Sequence, residues 1–365
     1  MSQTVEHTSP ARRAWVRFRR NPMAMGGSLF ILLVALVSFL GPLIRPDQTI
    51  NANHQNLSVS GVKPGFQVKT IRVDRAKEKT ALWKMWVDGG RELPYEEVII
   101  HSMEVKNDSA HVSLYAANGR ASKLVSFPLS QLQQRNGQYV FEKTYLLGTD
   151  KYGRDLLSRL MAGSVISLAV GAIAVIISLL VGLVVGLVAG YYKGWVDKVL
   201  MWFTNVIWAV PTLLLVMAIT FAFGTGFWKV FLAVGLTMWV EVARIARGQV
   251  LSIREKEYVE AAKALGFSER RIIFKHILPG ILSPIIVISA ANFASAILIE
   301  AGLSFLGLGA QIPTPSWGNM IREHYAFITT DMAYLAIIPG LFIMLLVLAF
   351  MLVGNGLRDA LDVRE

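Results

Sequence analysis

"SVISLAVGAIAVIISLLVGLVVGLVAG", residues 164–190, sets the fold class. The stretch has no charged residue and holds 16 Val, Leu or Ile residues. At roughly −0.3 to −0.6 kcal/mol each, these favour insertion into a bilayer by about 5–10 kcal/mol. A membrane-spanning helix needs roughly 20 mostly apolar residues, and this one exceeds that. Gly182, Gly186 and Gly190 fall four apart, which bares a backbone strip along one helix face. Lipid supplies no hydrophobic drive for helix association, so such a strip marks where a second helix packs closely.

Five further stretches match this one in kind, at about 24–44, 198–222, 227–248, 281–302 and 333–354. The chain as a whole has 365 residues, of which 54% are hydrophobic, with a mean hydropathy of +0.48. That is too apolar for an ordinary soluble domain. With no cysteine there is neither a disulfide staple nor a thiolate metal site. The net charge of +11 is explained by position. Five arginines precede residue 22, Lys193 and Lys198 follow the second stretch, eight basic residues lie between Arg244 and Lys275, and Arg358 and Arg364 close the chain. The short connections on the other side carry only Lys229 and Arg322. Basic residues gather on the cytoplasmic side, so both ends are expected there, and nucleic acid is not needed as a partner.

At the N-terminus, Ser9-Pro10 opens a short helix that sets Trp15 and Phe18 among arginines, a pattern suited to an anionic leaflet. The apolar part that follows is long enough to span and has no small-x-small cleavage site, so a retained first span is expected over a signal peptide. In the fourth stretch, Glu241 and Arg244 are three apart and can pair at the membrane boundary. A buried ion-coupling site is the sharper reading of Glu241.

Residues 45–145 have another composition. "GFQVKTIRV", "EEVIIHSMEVK", "HVSLYAANGRASKLVSF" and "NGQYVFEKTYL" alternate apolar with polar residues, and Asn118-Gly119 and Asn136-Gly137 are hairpin-turn dipeptides. A small β-rich domain is expected outside the cell, with a short helix near Ala81–Val87 and no catalytic cluster. The expected organisation is thus a basic interfacial helix (1–23), a first span (24–44), the β-rich insert (45–145), a five-span core (146–354) and a tail (355–365). This is an all-α polytopic membrane protein of six transmembrane helices, N-in and C-in, with an extracytoplasmic insert between the first two.

"EYVEAAKALGFSERRIIFKHILPG", residues 257–280, is the charged exception between two spans. Tyr258, Ala261, Ala262 and Leu265 are expected on one helix face, with Glu257, Glu260 and Lys263 on the other. Gly266 is placed to end that helix in a left-handed cap. Ser268-Glu269 then caps a second helix, which Pro279-Gly280 is expected to stop before the fifth span. The product is a helical elbow at about 255–278, with small residues that let a partner come close.

Glu260-Ala261-Ala262, Gly266 and Leu278-Pro279 resemble the coupling motif of permease subunits in ABC importers, with His276 departing from the usual aliphatic residue two before the leucine. "LGTDKYGRDLLSRLMAG" (147–163) and "EAGLSFLGLGAQIPTPSWGNMI" (300–321) resemble the dipeptide/oligopeptide/nickel branch. The resemblance covers roughly 1–44 and 146–365; the insert lies outside it. It implies that Glu260, Ala261, Ala262 and Gly266, with Leu278 and Pro279, couple to an ATPase subunit. It also implies a second homologous permease, two ATPase subunits that bind the ATP and Mg, a solute-binding protein, and a place in the bacterial inner membrane.

For Asp150, Arg154 and Asp155 two readings stand: contact with the substrate or its binding protein, and a local salt-bridged cap. Glu300 ends the fifth span, and Trp317 is expected in the interfacial aromatic belt or at the mouth of the substrate path. The chain has no GxxxxGK[ST] loop, no H-E-x-x-H helix and no G-x-S-x-G elbow, so neither cofactor nor catalysis is expected in it. The competing classes are a secondary transporter or channel and a membrane receptor with an outer sensing domain.

Overall fold

The computed structural model describes residues 10–75, 81–116, 121–224 and 227–361. Helix α1 (Pro10–Arg20) leads into α2 (Pro22–Ile44). The insert follows: β1 (Phe66–Asp74), α3 (Leu82–Val87), β2 (Tyr95–Lys106), β3 (Ser109–Tyr115), β4 (Ala121–Pro128) and β5 (Phe141–Tyr145). Then come α4 (Leu156–Tyr192), α5 (Gly194–Trp208), α6 (Thr212–Phe223), α7 (Phe227–Arg254), α8 (Glu257–Ala264), α9 (Glu269–Ile272), α10 (Leu278–Phe305), α11 (Trp317–His324) and α12 (Tyr334–Leu361). The chain divides into two compact units. One comprises Met1–Val34, Ser167–Gln311 and Gly340–Glu365; the other comprises Ala35–Ile166 and Ile312–Pro339.

In the first unit the glycine strip of α4 meets α7. A methyl group at Gly182 would strike Val242 and the Trp239 carbonyl, and one at Gly186 would lie 2.6 Å from the Ala243 oxygen and from Ala246 Cβ. These helices approach backbone to backbone, as the spacing predicts. Val230, Ala233 and Val234 of α7 bury against Ala174, Val216, Ala296 and Leu303.

Among the described residues, four helices are long and apolar enough to cross a membrane: α2, α4, the 37-residue run Glu269–Phe305, and α12. The expected third span, 198–222, is not one straight helix. α5 and α6 meet at 91°, and they make a fifth crossing only if the bent pair counts as one. The break falls at "AVPT": Pro211 has no N–H to donate and pushes Val210 away from helical geometry. α7 carries Lys229, Glu241, Arg244, Arg247 and Arg254 and is not among the apolar set. The expected Glu241–Arg244 pair is replaced by longer-range partners. Arg244 donates to Asn205 Oδ1 at 2.5 Å and stacks over Trp208, while Arg247 grips the Asp197 carboxylate at 2.5 and 2.7 Å.

In the second unit the insert is an antiparallel five-stranded sheet of order β4-β3-β2-β1-β5. The period-two pattern buries both faces. Ile71, Ile100, Ala110, Val112 and Leu132 cluster together, and Val59, Val68, Ile99 and Tyr145 form a separate cluster. The β2–β3 hairpin turns on Asn107-Asp108, both at positive φ, a pair short enough in side chain to tolerate it. Asn136-Gly137 also turns at positive φ, between Arg135 and Gln138. Asn118-Gly119 lies outside the described residues. The short helix expected near Ala81–Val87 is α3, whose Trp86 indole donates to the Phe39 carbonyl at 2.7 Å.

Candidate functional site

The elbow between α7 and α10 is the first candidate. α8 ends in a Schellman motif: Gly266, at φ +73°, donates to the Lys263 carbonyl and Phe267 to that of Ala262. The expected apolar face is divided. Ala262 turns inward with Val259, and both bury among Leu187, Tyr191, Val242, Val250, Ile277 and Ile281. Tyr258, Ala261 and Leu265 face out instead, with Phe274 also exposed and Glu257 and Glu260 beside them. A surface-lying connector would bury one continuous apolar face in lipid. Here the elbow drives one edge into the helix core and leaves the other exposed.

The second limb also departs from expectation. Ser268 begins α9 but its hydroxyl caps nothing. Nor does Pro279-Gly280 stop the helix, which runs on from Glu269 to Phe305. A π turn at Ile273–Ile277, with Leu278 donating to the Ile273 carbonyl, absorbs the register change ahead of a proline that cannot donate. Pro279 is exposed and Leu278 packs against the core. His276, the residue that departs from the motif, stacks on Phe267 at 6.0 Å between ring centres, so it closes the elbow from inside. Tyr192 donates to Glu269 at 2.9 Å, Lys193 pairs with Glu255 at 2.9 Å, and Arg254 donates to the Tyr191 carbonyl. The elbow and the end of α7 leading into it are therefore tied at three points to residues 191–193, at the end of α4 and just past it, and Val259 and Ala262 plug the elbow into the core.

The second candidate lies in the other unit, where α4 begins. Asp150 accepts from the backbone of Tyr152 and Arg154 and pairs with Arg154 Nε at 2.5 Å. Asp155 is the N-cap of α4, accepting from the Ser158 N–H at 2.6 Å. Arg154 also reaches Glu323 of α11 at 2.5 Å, and Arg159 stands 3.9 Å from Asp150 and 4.0 Å from Glu323. Asp150, Arg154, Asp155, Arg159 and His324 are buried, and the Glu323 side chain is only 7% exposed. Asp150, Glu323 and His324 bring potential ligand atoms within 4.8 Å of one another, but Arg154 already holds both carboxylates. Burial raises the Asp155 carboxyl above the usual range, against the pull of its bonds from Ser158. Trp317 is not an interfacial belt residue. It is 1% exposed, its indole donates to the Leu160 carbonyl at 2.9 Å, and its ring lies over Gly163. Glu300 stands elsewhere, buried in α10 and accepting from Ser304 at 2.6 Å. Arg159, Glu323 and His324 were missed by sequence reasoning, since Glu323 meets Arg154 and Arg159 from more than 160 residues away and no local pattern marks the cluster.

His324 donates from Nδ1 to the Met320 carbonyl at 2.8 Å, and burial lowers its pKa despite that bond and the nearby Asp150 and Glu323 carboxylates. An unfolded histidine takes its proton at about pH 6.5, whereas the folded one refuses it until lower pH. The unfolded state then binds more protons, so stability falls as pH drops below that value. His324→Gln is expected to shrink the loss of melting temperature between about pH 7 and about pH 5.5. An equal loss in both proteins would show that His324 contributes nothing to it.

Comparison with known proteins bears on the same segments. The family described as binding-protein-dependent transport system inner membrane component matches residues 182–364, from the glycine strip through the elbow to α12. The N-terminal transmembrane domain of oligopeptide transport permease C matches residues 9–58. The glutathione transport system permease protein GsiD of Shigella sonnei is 44% identical over 218 residues, covering 59% of this chain and 71% of that one. The GsiD protein of Pectobacterium atrosepticum is 43% identical over 219 residues, with the same coverage. A solved structure of inward facing conformations of the MetNI methionine ABC transporter aligns with a TM-score of 0.48 at 17% identity, covering 56% of this chain and 96% of that one. A family match over half the chain, joined to relatives 43–44% identical over the aligned 218–219 residues, makes this protein a multi-pass membrane permease of the binding-protein-dependent transport family, a transport subunit and not an enzyme.

Proposed function

We propose that the chain is one of two permease subunits of an ATP-driven importer in the bacterial inner membrane, and that α8 and the turn after it receive the stroke of a separate ATPase. The observation that carries this is the divided elbow: Val259 and Ala262 locked in the core, Tyr258, Ala261 and Leu265 held out beside Glu260. A push on the outer edge has no soft joint in which to dissipate, so it moves α4, α7 and α10 together. Rigid elements that switch between two packings convert such a push into alternating access. The side that bears the elbow holds the excess of Lys and Arg, which supports a cytoplasmic elbow, both ends inside, and six crossings with α5–α6 and α7 as the third and fourth.

In this reading ATP and Mg belong to two partner ATPase subunits. A solute-binding protein delivers the cargo, and a second, homologous permease completes the path. The relatives are glutathione permeases, which supports a short peptide as cargo, within the di- and oligopeptide class. Asp150, Arg154, Asp155, Glu300 and Trp317 are buried in this chain, which supports a part in shaping the substrate path over direct contact with the cargo. A secondary transporter would instead need no nucleotide-hydrolysing partner. Cross-linking from cysteine at the exposed position of Ala261 in whole membranes is expected to capture an ATPase subunit. Capture of none, with the cysteine labelled freely from outside the cell, would overturn the reading.

A further inference from the structure

The insert holds a second polar place that the coupling role does not use. A cavity of about 210 Å³ is lined by Asp47, Arg72, Arg91, Tyr95, Glu97 and Lys143, among others. Two of its charges are already matched. Lys143 pairs with Glu97, both mostly buried; burial works against the ammonium, but Glu97 and Tyr145 outweigh it and hold the pKa above its ordinary value. Asp47 is met by neutral donors, accepting from the Thr49 N–H, the Thr49 hydroxyl and the His54 N–H at 2.9, 2.7 and 3.0 Å.

The two arginines are not matched in this way. Arg72 lies between the Tyr95 and Phe141 rings, 4.5 and 4.6 Å from their centres. Rings this close lie against the guanidinium and leave its N–H edge for hydrogen bonding. Its Nε is buried without a hydrogen-bond partner. Arg91 is anchored by its backbone N–H to the Gln48 carbonyl at 2.8 Å, and its Nε too is buried without a partner. A buried donor left unmet costs on the order of 1–3 kcal/mol, more when charged. Both side chains line the same cavity, which marks it as a binding place.

The ligand's chemistry follows from charge and shape. Arg72, Arg91 and Lys143 against Asp47 and Glu97 leave one positive charge. A guanidinium edge pairs with a planar carboxylate through parallel hydrogen bonds. A phosphate, close to dianionic, would have to sit beside two carboxylates. The volume lies below the roughly 300–1,000 Å³ of drug-sized pockets. We propose that the insert binds a small monocarboxylate, held edge-on by Arg72 and Arg91. This site goes beyond the transport reading and would stand if the coupling elbow proved inert.

The test uses the full chain in detergent, with N-acetylalanine as probe in a calorimetric titration. Saturable binding is expected, with N-acetylalanine amide at least about tenfold weaker. Arg72→Lys keeps the charge but removes the fork, and Arg91→Gln alters a residue outside the strands; each is expected to weaken N-acetylalanine by about tenfold or more. Should Arg72→Lys melt early, Arg91→Gln decides alone. Inorganic phosphate is expected not to compete. No saturable binding, equal binding of the amide, undiminished binding in Arg91→Gln, or displacement by phosphate would each overturn the proposal. Glu260→Lys is expected to leave this binding untouched, which separates its failure from failure of the elbow.

Discussion

Glu260→Lys and Gly266→Val are each expected to abolish ATP-driven uptake while the amount of protein in the membrane stays at the wild-type level. Glu260 is exposed, so reversing its charge leaves the core intact and changes only what a partner meets. At Gly266 a Cβ would have nothing within 4 Å to strike, so the damage is backbone strain alone. A β-branched residue at φ +73° costs on the order of 1–3 kcal/mol. The chain escapes that cost by giving up the bonds from Gly266 and Phe267 that end α8. The stroke then arrives at a loosened joint. Gly266→Asn, which tolerates the left-handed region, is expected to retain most uptake. Transport into membrane vesicles and immunoblotting of the same vesicles read both quantities. Normal uptake in the lysine and valine variants together would remove the elbow from the mechanism.

That prediction rests on features the sequence displayed unevenly. α4 was legible because 27 residues without a charge leave little else to be, and its glycine strip announced a close neighbour. Which helix that neighbour would be was not legible, since packing partners are set in three dimensions. The break at Pro211 had a local signal in the proline itself, but the apolar residues on both sides of it read as one span. Pro279-Gly280 erred in the opposite direction. The signal to stop was present, and a π turn just before it, fixed by the burial of Ile272, Ile277 and Ile281, carried the helix through. On α8 the pattern located the apolar residues but could not divide them between core and solvent, because an alanine is at home in either. His276 looked like a weakness in the motif until its ring was seen against Phe267.

The charge cluster shows the same limit and yields the second large effect. Arg154→Met is expected to strip the protein of much of its stability, with about 3–5 kcal/mol lost when a buried pair is broken from one side. Asp150 and Glu323 would both lose a partner at 2.5 Å and be left with Arg159, at 3.9 and 4.0 Å. Against a total of roughly 5–15 kcal/mol, a loss of that size shows as depleted protein in the membrane and a sharply lower melting temperature. Glu323→Gln is expected to cost less, because Arg154 keeps Asp150. The double variant should then lose less than the two single losses combined, since Arg154→Met no longer strands a second carboxylate. Additive losses would mean that the Arg154–Glu323 contact, 169 residues apart in sequence, does not couple the start of α4 to α11. The cycle also separates the two readings of Arg154 that the sequence left open. If its work is to hold the fold, transport per folded molecule in the double variant stays near wild type. If the guanidinium itself meets the cargo or the binding protein, that double variant folds and still fails to transport.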